Sequence, residues 1–146
     1  MQNQKEIIII DEQKLPFSTC QVYKAIHMFD EYTHWWPKQY RVKKLPEHTK
    51  TISFSPAPPV KIHWEKGECL QDKQVQLFYT KGPFRGSGVW SMEETEGGTL
   101  LRYTTYLNPI NPLFRAVAKT SLFRKRHSQD IQKIMRYLQK HLSNLP

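Results

Sequence analysis

The chain is predicted to be an α+β protein in which a curved antiparallel β-sheet grips a long C-terminal α-helix, with two short helices after the first strand. Three observations lead there. The stretch Lys81 to Tyr106 reads as two alternating strands joined at Gly97-Gly98. A helical pattern opened by Pro112 follows at once and runs to about Leu142. Near the other end, Glu6 to Glu12 holds four consecutive isoleucines, a β-branched run that suits an opening strand. A hairpin that passes its chain directly to one amphipathic helix lets the sheet close over that helix, an arrangement expected to leave a cavity.

Pro16 ends the first strand. Ser18 or Thr19 can then cap a helix in which Val22, Tyr23, Ile26, His27 and Phe29 recur at helical spacing. A second short helix, Asp30 to Trp36, stops at Pro37 because proline disfavours helix in the residue before it. Three short β-rich segments follow, Tyr40 to Leu45, Thr51 to Ser55 and Val60 to Glu68, with Pro56, Pro58 and Pro59 as a loop between the last two. In Val60 to Lys66 the residues Val60, Ile62 and Trp64 share one face, as expected of a half-buried antiparallel strand. Val75, Leu77 and Tyr79, then Trp90 and Met92, then Leu101, Tyr103, Thr105 and Leu107 extend that apolar face over three more strands.

For the terminal helix, Asn111 is the cap and Pro112 sits in the first turn, where its missing N–H has no consequence. An unbroken helix to Leu142 would be about 45 Å long, longer than any strand, so part of it must overhang or bend. Its inward stripe is read as Phe114, Val117, Ala118, Ser121 and Leu122, continuing through Ile131, Ile134, Met135, Leu138 and Leu142. The first half is small and mixed, as in a cavity wall; the second is purely apolar, as in a core.

Length and composition narrow the function classes. At 146 residues, 38% hydrophobic and 12% aromatic, residues 1–146 are expected to form one folded domain. The start MQNQKEIIII lacks the pattern of a secretory signal, no segment approaches the roughly 20 apolar residues of a membrane span, and a cytoplasmic location is expected. Cys20 and Cys69 are far apart in no metal-ligand spacing and are read as reduced packing residues. His27, Glu31 and His34 would share one helix face, but the break expected near Asp30 spoils a metal site. No serine elbow, metal-binding helix or phosphate loop occurs, so neither a cofactor nor a catalytic residue is assigned.

Net charge is +9 and unevenly placed: charges nearly balance as far as Gly97, beyond which Asp130 is the only acid. The run Arg124-Lys125-Arg126, with Arg115, Lys119, Lys133, Arg136 and Lys140, could dock on anionic lipid or simply form a solvated face. Nucleic acid is disfavoured as a partner, since the stacked-aromatic signatures of RNA binding are missing.

Two local strings carry a resemblance. Phe29-Asp30-Glu31-Tyr32-Thr33-His34-Trp35-Trp36-Pro37 follows the first helix, and Gly82-Pro83-Phe84-Arg85-Gly86-Ser87-Gly88-Val89-Trp90 enters a strand. Together with Gly97-Gly98-Thr99, Leu101, Tyr103 and the closing helix, they make the whole chain resemble the START-like, or SRPBCC, superfamily of helix-grip proteins, in particular its polyketide cyclase/dehydrase-like members. The resemblance implies a hydrophobic pocket between sheet and terminal helix for a lipid, a polyketide or a similar apolar metabolite. Residues expected to line it are Trp35, Trp36, Ile62, Trp64, Leu77, Tyr79, Trp90, Met92, Tyr103, Thr105, Phe114, Val117, Ala118, Ser121 and Leu122. Tyr79 and Tyr103 would each need a partner for a buried hydroxyl, which makes them candidates for orienting a ligand oxygen. The alternatives are an enzyme of the cyclase/dehydrase type acting in the same pocket, and an interaction module docking on anionic membrane or RNA through the basic helix.

Overall fold

The isoleucine run opens a seven-stranded antiparallel sheet. In the computed structural model, which describes residues 6–40, 42–44, 51–54, 62–81 and 84–145, the strands are β1 (Ile7–Leu15), β2 (Lys43–Lys44), β3 (Thr51–Phe54), β4 (Ile62–Leu70), β5 (Gln74–Lys81), β6 (Phe84–Thr95) and β7 (Gly98–Pro109). Their order is β1-β7-β6-β5-β4-β3-β2, so the first strand lies against the last. Among the described residues four helices complete the fold: α1 (Thr19–His27), α2 (Tyr32–Trp35), α3 (Pro112–Ala118) and α4 (Ser121–Ser143). The expected loop at Pro56, Pro58 and Pro59, the strand start at Val60 and the Gly82-Pro83 step lie outside the described residues.

Period-two alternation sets which side of the sheet is covered. Along β7, Leu101, Tyr103, Thr105 and Leu107 are buried while their neighbours are partly exposed. Trp90 and Met92 of β6, Val75, Leu77 and Tyr79 of β5, and Trp64 of β4 continue the same face. The β4–β5 ladder shifts register between His63 and Trp64 and again between Lys66 and Cys69; such bulges bend a sheet. Onto the inner face α4 packs Ile131, Ile134, Met135, Leu138 and Leu142, each contributing about 1.5–3 kcal/mol before ordering entropy is counted.

The helix ends obey local chemistry. Ser18 accepts from the Gln21 N–H at 3.2 Å and the Gln21 side chain accepts from the Ser18 N–H at 3.0 Å, a reciprocal cap that starts α1. Helix α1 ends at His27 and a 3₁₀ turn over Phe29–Glu31 leads into α2, so His27, Glu31 and His34 do not share one continuous helix face. The buried Tyr32 hydroxyl donates to the Ile26 carbonyl and ties α2 back to α1.

Three expectations are corrected here. The segment read as a strand from Tyr40 to Leu45 forms a 3₁₀ turn over Lys38–Tyr40 and then a two-residue strand at Lys43–Lys44. The β6–β7 turn is Glu96-Gly97, with only Gly97 at positive φ (84°); Gly98 already pairs with Thr95 and is held to glycine by the Leu15 carbonyl, 2.0 Å from where a Cβ would stand. The terminal helix is two helices: α3 stops at Lys119, and Thr120, in extended conformation (ψ 150°), caps α4 by accepting from the Phe123 N–H at 3.1 Å. At 23 residues α4 is about 35 Å long, and of the two expected outcomes, overhang or bend, the chain takes the bend, at Lys119-Thr120.

Candidate functional site

Sheet register assembles the interior from alternate residues. Trp64 pairs with Tyr79 across β4 and β5, and Trp90 with Tyr103 across β6 and β7. The result is a connected aromatic column. The Trp36 ring meets Trp64 edge-on at 5.0 Å, Trp64 lies 6.2 Å from Tyr79, the Tyr79 and Tyr103 hydroxyls share a 2.7 Å hydrogen bond, and Trp90 packs 4.4 Å from Tyr103. Gly88 makes this possible: a Cβ there would fall 1.9 Å from the Tyr103 oxygen.

Not every polar atom of this interior is well satisfied. Trp90 Nε1 is buried without a hydrogen-bond partner among the described residues, and Thr105 Oγ1 lies beside the Tyr79 hydroxyl without a hydrogen bond of good geometry. Burial pushes the Tyr79 phenol up to about 12, opposed by the neighbouring Tyr103 and Thr105 hydroxyls. Tyr103 is raised well above 10, by burial first and then by Tyr79. Both phenols therefore stay protonated at neutral pH and act as hydrogen-bonding hydroxyls, not as bases.

At its outer end the column reaches a cleft of about 500 Å³ between α2, the turn after it and the last turns of α4. Trp35 and Trp36 form its apolar side, and His34, Lys38, Lys140 and His141 contribute its basic side. Trp35 stacks on His141 at 6.2 Å. Burial lowers the His141 pKa, with Glu31 pulling it up and His34 down.

A third polar group sits under α4. Asp11, buried on β1, has Oδ2 3.9 Å from His127 Nδ1, and neither atom makes a hydrogen bond. One turn on, Asp130 accepts from the Tyr40 hydroxyl at 2.7 Å and lies 3.7 Å from Arg126. Burial lowers the His127 pKa, while Asp11 and Asp130 oppose the shift. Among the described residues no group of three or more His, Cys, Asp or Glu side chains could hold a metal, and no helix is long and apolar enough to cross a membrane.

The sequence matches no family model and no curated protein, whereas solved structures align along nearly all of it. A START superfamily protein from Mycobacterium smegmatis aligns with a TM-score of 0.72 at 11% identity, over 95% of this chain and 99% of that one. The di-domain ARO/CYC StfQ of the steffimycin biosynthetic pathway gives 0.72 at 13% identity, over 95% of this chain and 52% of that one. Ara h 8.0201 gives 0.70 at 10% identity, over 96% and 99%. The chain has the START-like helix-grip fold.

Within this START-like fold the expected lining residues separate into groups. Trp35, Trp36, Trp64, Leu77, Tyr79, Trp90, Met92, Tyr103 and Thr105 are buried on or against the inner face. Of these, Leu77, Trp90, Tyr103 and Thr105 have no accessible surface, so they touch no space that would admit a water molecule. Ile62 and Phe114 are partly buried and Ala118 is buried. Val117, Ser121 and Leu122 do not face inward: all three are exposed. The break at Lys119-Thr120 rotates α4 relative to α3, so Leu122 leaves the face that Ala118 occupies, and Phe123 and His127 lead the stripe toward Ile131 instead. Counting backward by four from Ile131 would have found both. Asp11 was equally legible, as the third member of the alternation Ile7, Ile9, Asp11.

Proposed function

We propose that the chain binds a hydrophobic small molecule carrying an oxygen function, seated between the sheet and α4 and entered from the cleft beside Trp36. The observation that carries this reading is the unsatisfied buried donor Trp90 Nε1, beside the Tyr79–Tyr103 hydroxyl pair and the Thr105 hydroxyl. An unsatisfied buried polar atom costs about 1–3 kcal/mol, which a ligand oxygen in that interior would recover. The START-like fold supports the same class of ligand, since a structural neighbour is the di-domain ARO/CYC StfQ of the steffimycin biosynthetic pathway. Because the column is closed here, binding requires the Trp36 ring to swing toward the cleft and admit the ligand against Trp64 and Tyr79.

Native mass spectrometry of freshly purified protein, followed by titration with an apolar fluorescent dye, tests the proposal. The expected result is a co-purifying apolar mass or saturable dye uptake, with Trp36→Ala speeding uptake and Tyr103→Phe weakening an oxygen-bearing ligand about tenfold. Protein that is empty and takes up no dye, before and after Trp36→Ala, would overturn it. Chemical change in the bound molecule would turn the carrier reading into the enzymatic one at the same seat.

A further inference from the structure

The α3–α4 elbow exposes what a core helix would hide. Ile110 just before α3 is 54% exposed, Leu113 71% and Val117 46%, and Leu122 at the start of α4 is 76% exposed. Leu113 and Val117 lie one helical turn apart on the same face of α3. Lys119, Arg124 and Lys125 border these residues, are exposed and make no ion pair among the described residues, whereas Arg126 is drawn toward Asp130. From residue 98 to residue 129 the chain contains no acid.

We infer that this elbow is a membrane-docking surface: Leu113, Val117 and Leu122 enter the acyl–headgroup boundary of an anionic bilayer while Lys119, Arg124 and Lys125 engage its phosphates. Apolar side chains ringed by cations match such an interface on both counts. A second copy of the chain matches it poorly, because a symmetric contact would set Lys119, Arg124 and Lys125 against their own kind. RNA would satisfy the cations but leave the leucines in water. The surface lies on α3 and the first turns of α4, away from the Trp36 cleft at the other end of α4, and does not depend on the proposed cargo.

The test is co-flotation of the full chain with vesicles of phosphatidylcholine alone and of phosphatidylcholine mixed with phosphatidylglycerol, at low and high salt. Binding is expected to the anionic vesicles and to fall with salt. Leu113→Ser and Leu122→Ser should each weaken it about tenfold. Changing Lys119, Arg124 and Lys125 together to glutamine should weaken it on the order of a hundredfold. Unchanged thermal melting would establish that these surface variants remain folded, and Leu113→Trp should show a blue-shifted emission only with anionic vesicles. Vesicle binding indifferent to the leucines, salt-sensitive RNA binding without vesicle binding, or a dimer that the serine variants dissolve would each overturn the inference.

Discussion

At Gly88 one missing methyl group decides how Tyr103 packs. A Cβ there would meet the Tyr103 oxygen at 1.9 Å and Cζ at 2.5 Å, so Gly88→Ala should destabilise the protein by about 1–3 kcal/mol in urea unfolding. Adding Tyr103→Phe should recover part of that loss by removing the nearest atom; a strictly additive double variant would place the strain elsewhere. The same hydroxyl gives a second prediction. Tyr79→Phe leaves the Tyr103 oxygen buried without its 2.7 Å partner and should cost about 1–3 kcal/mol, whereas phenylalanine at both positions should cost less than the single change. Denaturation midpoints of the three variants decide it. The need of each tyrosine for a partner was readable in the sequence; that each would be the other's partner was not, because the β5–β6–β7 register brings together residues 24 positions apart.

At the scale of elements, the boundary between α3 and α4 rests on one hydroxyl. Thr120→Ala removes the oxygen that caps the Phe123 N–H and should lower stability by about 1 kcal/mol, with faster amide exchange confined to the first turn of α4. The docking of α4 on β1 carries a pH dependence. His127 is held below 6.5, chiefly by burial, so the unfolded chain binds the proton more readily. Its contribution is complete above pH 6.5 and is lost as pH falls from there through the lower folded value. His127→Gln should flatten that part of the stability profile below pH 6.5; an unchanged slope would assign it to other groups. Thr120 as a cap could have been suspected from residue type, but the unbroken helical periodicity on either side of it concealed the stop.

For the whole molecule, the net charge of +9 and the curved sheet point to different properties. Most of that charge sits on α3 and α4 and governs what the surface approaches, whereas the enclosed aromatic column governs what the interior admits. Because the cleft and the elbow lie toward opposite ends of α4, Trp36→Ala is expected to change dye uptake without changing vesicle flotation, and Leu122→Ser the reverse. Measuring both variants in both assays checks that separation.

Alternation and helical spacing in the chain alone were enough for the α+β class, the inner face of β4 to β7, the start of α1 at Ser18 or Thr19 and the apolar half of α4, since each depends on near neighbours in sequence. Only the tertiary structure decided that Trp36 reaches Trp64, that Asp11 lies under His127, and that Val117 and Leu122 point outward. Those outcomes depend on strand register and on a rotation between two helices, and both are settled by packing energies summed over segments distant in the chain.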